Sequence, residues 1–143
     1  MSTEIEVRKA SEQNYAAMNR MLNGDAAPLA DIWSHSTAVS TMHPIGSRQV
    51  GWEQVRESFE QVAQIASNGQ VKLRDQIVHV AGDVAYELGV EHGQVKIAGQ
   101  QVTIEHRVTN IYRREAEGWK IVHHHTDLSP ALLDVLSRMN AKT

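Results

Sequence analysis

Imidazole outnumbers the larger aromatic rings in this chain, whose 8 His stand beside 3 Trp, 3 Tyr and 1 Phe. His43 comes just before Pro44-Ile45-Gly46, a turn signal. A histidine there can act as a general base near neutral pH without the burial that a carboxylate needs. Asn110 offers an amide that donates to an enolate or carbonyl oxygen. Two simpler roles compete: His43 caps the turn, and Asn110 satisfies a buried backbone group.

His123-His124-His125 is the most conspicuous run. On a regular strand His123 and His125 share one face with Trp119 and Ile121, and His124 shares the other with Val122. An H-x-H pair can ligate zinc through two imidazoles. A third ligand from His43, His106 or Asp127 has no defining spacing, so no metal and no cofactor is expected. Placement singles out His43, His106, His123 and His125, while His35, His79, His92 and His124 read as bystanders.

These side chains need elements to position them. Tyr15, Met18 and Leu22 recur at helical spacing after Ser11, a plausible N-cap, and predict a helix over 11–22. A second short helix is expected over 25–33, with Pro28 in its first turn. Residues 37–43 read as a strand. Trp52, Val55, Phe59, Val62 and Ala66 form the stripe of a long helix over 51–67, stopped by Asn68-Gly69.

The rest reads mostly as sheet. Strands are expected over 71–81, from Val84 to before Gly99 with an interruption near Gly93, over 102–114, and over 119–126. In the third of these, Ile104, His106, Val108, Asn110 and Tyr112 share one face. Glu105 and Arg107 share the other, which suits solvent or a dimer interface. Pro130 opens a last helix. Consecutive strands with tight turns imply an antiparallel sheet carrying helices on one face, an α+β cone with a small-molecule pocket at its mouth. Tyr15, Trp33, Trp52, Phe59, Tyr86 and Trp119 are candidates for the pocket wall or for plain core, and Tyr112 lies on the same face as Asn110.

Composition narrows the partners. Net charge is −3 and Arg113-Arg114 and Lys142 make no basic stripe, which argues against nucleic acid. No apolar run reaches the roughly 20 residues of a membrane span. Met1 to Glu6 lacks a signal-peptide pattern, so a cytoplasmic location is the default. Zero Cys excludes disulfides and thiolate chemistry. One domain over 1–143 is expected from the length.

Two groups of residues resemble a known superfamily. Leu29-Ala30-Asp31-Ile32-Trp33, Val39 to Gly46 and Gly51-Trp52-Glu53-Gln54-Val55 form the first. Arg107 to Arg114 and Gly118-Trp119-Lys120-Ile121-Val122-His123-His124-His125 form the second. Together they resemble the nuclear transport factor 2-like superfamily, in its SnoaL-like branch, and the association domain of calcium/calmodulin-dependent kinase. The resemblance spans about residues 10–128. It implies a strongly bent antiparallel sheet wrapped around N-terminal helices, and a homodimer through the outer sheet face.

Ketosteroid isomerase has the same fold. Its aspartate base falls where His43 stands here, its second aspartate aligns with Asn110, and its helical tyrosine falls near Ala17, out of phase with Tyr15. Steroid isomerisation by those residues is therefore not supported. The expectation is a small-molecule-binding domain, read as a cofactor-free isomerase, cyclase or hydratase of a small apolar carbonyl compound. In that reading His43 moves the proton, Asn110 steadies the oxyanion, and His123 or His125 orients the substrate or relays the proton. The other expectation is a non-catalytic ligand-binding or oligomerisation module.

Overall fold

The computed structural model describes residues 3–141, with side chains through Met139; Lys142, like Met1 and Ser2, lies outside the described residues. Helix α1 (Thr3–Met21) begins eight residues before the expected start. Val7 and Ala10 extend its buried stripe towards the N-terminus, and Glu4 and Glu6 sit where the helix dipole favours negative charge. Ser11 is therefore a buried mid-helix residue and not a cap. The second expected helix shrinks to a single 3-10 segment, Ala27–Asp31.

Strands β1 (Ser40–His43) and β2 (Gly46–Val50) form a hairpin, and β2 was not expected. Helix α2 (Trp52–Ile65) buries Val55 and Phe59. It passes directly into β3 (Ala66–Ala81), so Asn68-Gly69 is a bulge within the strand and not a helix stop. Strand β4 (Val84–Ile97) runs straight through Gly93. A Cβ there would lie 1.9 Å from the Gln70 carbonyl oxygen, so the glycine admits the close approach of bulged β3. Strands β5 (Gln100–Glu115) and β6 (Gly118–Thr126) follow, and Ser129 caps α3 (Pro130–Ala141) by accepting from the Leu132 amide at 3.3 Å.

The α+β fold is a six-stranded, bent, unclosed sheet in the order β2-β1-β6-β5-β4-β3, with helices packed on its inner face. Neighbours are antiparallel except β1 and β6, which are parallel. That parallel contact carries the N-terminal hairpin onto the C-terminal strand and brings His43 beside the triple histidine.

One irregularity decides the site. Between β5 and β6 the register shifts: Ile111 faces His123, yet Tyr112 faces Ile121, leaving Val122 as an extra residue. A single inserted residue reverses the in–out alternation beyond it. Trp119, Ile121, His124 and Thr126 are consequently buried, while His123 is half-buried and His125 exposed. The expected assignment of the three histidines is inverted.

Candidate functional site

Inside the sheet lies a cavity of about 100 Å³. Its walls come from α1, the β1–β2 turn, α2, β3–β6 and α3, and are almost wholly apolar, with Met18, Phe59, Ile104 and Leu132 among them. Four polar side chains interrupt them: His43, Glu91, His106 and His124. All four are buried.

Each is placed by strand parity or helix contact. His106 and Asn110 lie on the inner face of β5, as their alternation predicts. Glu87 and Glu91 are their register partners on β4, so two carboxylates point inward and Tyr86 points out. Thr41 and His43 occupy the inner face of β1 beside His124.

Glu91 is held by two donors. His106 Nε2 lies 2.6 Å from its Oε1, and the Tyr15 hydroxyl donates to its Oε2 at 2.9 Å. Burial pushes the Glu91 carboxyl up, but the His106 hydrogen bond, the electrostatic influence of the His124 and His106 rings and the Tyr15 hydrogen bond together outweigh burial and leave it below the usual value. Burial, and then repulsion from Glu91 and Glu87, raises Tyr15 well above an ordinary phenol, so it remains a donor.

Glu87 is fully buried behind this pair and accepts from three neutral groups. These are Gln76 Nε2 at 2.6 Å, Asn110 Nδ2 at 3.0 Å and the Tyr112 hydroxyl at 2.8 Å. Arg8 donates to Gln76 Oε1 at 2.6 Å and continues the network to the surface.

Hydrogen-bond partners fix the tautomers. The Ser58 hydroxyl gives its proton to the Val55 carbonyl at 2.6 Å, so it accepts from His43 Nε2–H at 2.8 Å. Burial, and then the nearness of the His124 ring, pulls His43 down to about 3, and the ring is neutral throughout the physiological range. Asn110 Nδ2 donates both to Tyr15 at 3.1 Å and to Glu87, so its Oδ1 accepts from His124 Nδ1–H at 2.6 Å. Burial also pulls His124 down, and in the neutral ring the Nδ1–H given to Asn110 makes Nε2 the lone-pair nitrogen.

The expected site residues therefore divide. His43, Phe59 and His106 line the cavity. Asn110 lies behind His124 with both amide protons engaged, so it has none for a substrate oxygen. This corrects its role as oxyanion donor. Tyr15 and Tyr112 are buried with their hydroxyls bound to Glu91 and Glu87. Trp33 packs on Phe59 and Trp119 donates to Glu6, both as core away from the cavity. Trp52 stacks on His35, while Tyr86 is on the outer face beside His79. His123 takes a 2.7 Å hydrogen bond with Ser40, and neither it nor His125 reaches the cavity, because of the β6 bulge.

Sequence reasoning missed Glu91 and His124. For Glu91 a signal existed: Glu87 and Glu91 lie four residues apart and so share a face with Ala85 and Gly89, but the apolar set Val84, Tyr86, Leu88 and Val90 drew attention instead. For His124 no local signal distinguishes a bulged strand from a regular one.

A profile of the SnoaL-like domain matches residues 7–131. Among solved structures, a candidate dehydratase of the NTF2-like family from Streptomyces avermitilis is 28% identical, with a TM-score of 0.78 over 90% of this chain and 96% of that one. The CaMKII hub of S. rosetta is 19% identical, with a TM-score of 0.73 over 90% and 100% of the two chains. A candidate ketosteroid isomerase from Shewanella frigidimarina is 16% identical, with a TM-score of 0.67 over 83% and 92%. The last two share the fold alone. A search of curated proteins gave no significant match.

Proposed function

The chain belongs to the SnoaL-like domain family, and on that premise we propose that its inner cavity binds a small, mostly apolar molecule. One observation carries this reading: an apolar chamber whose polar groups, Glu91, His106, His124 and His43, are held in place by hydrogen bonds from residues behind them. Apolar walls with a few fixed polar groups are the usual make-up of a small-molecule site. The test is a titration of the purified chain with small cyclic compounds, followed by calorimetry and by amide shifts of Phe59 and Ile104. Saturable shifts at the lining residues support the reading; no compound binding refutes it.

An isomerase, cyclase or hydratase would use the same chamber. Support comes from the similarity to a candidate dehydratase and from the Glu91–His106 pair, which can carry a proton. A carbonyl substrate needs a donor for its oxygen, and the Asn110 amide does not supply one in this arrangement. Proton transfer thus falls to Glu91 and His106 in place of His43, whose buried ring takes up a proton only near pH 3.

Assembly is the second reading. Ile77, Val84, Tyr86 and Leu88 are exposed together on the outer face of β3 and β4, and the fold is shared with a CaMKII hub. A homodimer through this face would cover them. Location stays with the coarser observation that, among the described residues, no helix is long and apolar enough to cross a membrane.

A further inference from the structure

We propose that the polar end of the cavity is a hydrogen-bond acceptor site, which takes the hydroxyl of a small neutral alcohol or phenol with its O–H donated to His106 Nδ1. The proposal rests on the cavity being a ligand site and adds the chemical class of the ligand.

The argument begins with an orphan. Among the described residues three buried side-chain polar atoms have no hydrogen-bond partner, and His106 Nδ1 is the one whose residue lines the cavity. Its side chain is 4% exposed. A buried nitrogen without a partner is unfavourable, so a group that meets it binds better than a matched one that does not.

The sense of the missing bond follows from the other ring nitrogen. Nε2 faces the Glu91 carboxylate at 2.6 Å, and a carboxylate only accepts. Nε2 therefore carries the proton, and in the neutral ring Nδ1 carries the lone pair. His124 repeats the pattern, because Asn110 Oδ1 takes its Nδ1–H and leaves Nε2 as an acceptor. His43 spends its Nε2–H on Ser58. Glu91 is an acceptor by nature. Every polar group at this end thus offers a lone pair or has its proton engaged.

A ketone or aldehyde would bring an acceptor to acceptors. An ammonium group would satisfy them, but it would lose its hydration inside apolar walls, and both Glu91 oxygens already have donors. A neutral hydroxyl meets the requirement at the smallest desolvation cost. Size limits the rest of the molecule: a cavity of about 100 Å³ is smaller than the apolar cavity of about 150 Å³ that binds benzene in another protein, so the ligand is at most one small ring.

The test compares matched probes by calorimetry on the intact chain: phenol against benzene, and cyclopentanol against cyclopentanone. Phenol should bind at least about tenfold tighter than benzene, and the alcohol tighter than the ketone. Histidine ¹⁵N NMR on the same samples should show His106 protonated at Nε2 alone, with its Nδ1 signal moving on phenol binding. His106→Leu should keep benzene binding and lose the preference for phenol; where that variant does not fold, the wild-type NMR decides. Equal binding of phenol and benzene, preference for the ketone, or a protonated Nδ1 overturns the proposal while leaving the cavity a ligand site. Failure of all four probes removes both readings.

Discussion

Glu91 on β4 and His106 on β5 are direct register partners, with the imidazole Nε2 2.6 Å from the carboxylate Oε1. Both side chains are almost fully buried, and Tyr15 from α1 closes the other carboxylate oxygen. The antiparallel register thus produces, from two ordinary alternating strands, a charged group inside an apolar chamber. Such a pair is tolerable only while every partner is in place.

Removing one partner exposes that dependence. Glu91→Leu should destabilise the fold by about 3 kcal/mol at pH 7, because His106 Nε2–H and the Tyr15 hydroxyl lose their acceptor. The folded carboxyl is held below its ordinary value, so its contribution is present above about pH 4.5 and is lost as pH falls through the folded value. The stability gap between wild type and variant, measured by urea unfolding, should therefore narrow in acid. A gap that is constant from pH 7 to pH 3 would contradict the assignment.

His43 acts in the same direction, over a window that opens at higher pH. Its unfolded form takes a proton near pH 6.5, whereas the folded form resists until about pH 3. Between those values the unfolded state binds more protons, so stability falls as pH falls, by about 1.4 kcal/mol per unit for one proton. His43→Gln should remove close to one proton from the acid slope of wild type between pH 6 and pH 4. An unchanged slope would mean that the ring is charged in the fold.

Asn110 and the outer histidines make a contrast. Asn110→Ala breaks hydrogen bonds to Tyr15, Glu87 and His124, and should cost about 3 kcal/mol in urea unfolding. His123→Ala and His125→Ala lie beyond the bulge on the outer face, and each should leave probe affinity within about twofold of wild type. Loss of binding in either outer variant would place those side chains at the cavity after all.

Light scattering tests the outer sheet face. A mass near twice 15.9 kDa is expected for the wild type. Leu88→Asp should return it to 15.9 kDa while leaving circular dichroism unchanged. A wild-type chain that is monomeric across concentrations would remove the assembly reading.

Most elements were legible because their periodicity is local. Val55 and Phe59 mark α2, and Ile104 to Tyr112 mark the inner face of β5, through spacing that needs no knowledge of a partner. The front of α1 was missed because its stripe there is carried by Val7 and Ala10 alone. Strand β2 was missed because Gly46 to Val50 has no apolar alternation. Its pairing with β1 is what makes it a strand.

The site divides along the same line. By itself the sequence determined that His106 and Asn110 share the inner face of β5, that His43 stands at a turn, and that titratable groups cluster in an otherwise apolar fold. Which of the three consecutive histidines enters the cavity was decided only by the tertiary structure. Strand parity is a count of residues modulo two, and the extra residue at Val122 exists only in relation to Ile111 and Tyr112 on the neighbouring strand. That one residue turns His124 inward and His123 and His125 outward, and strand pairing likewise sets Glu91 against His106.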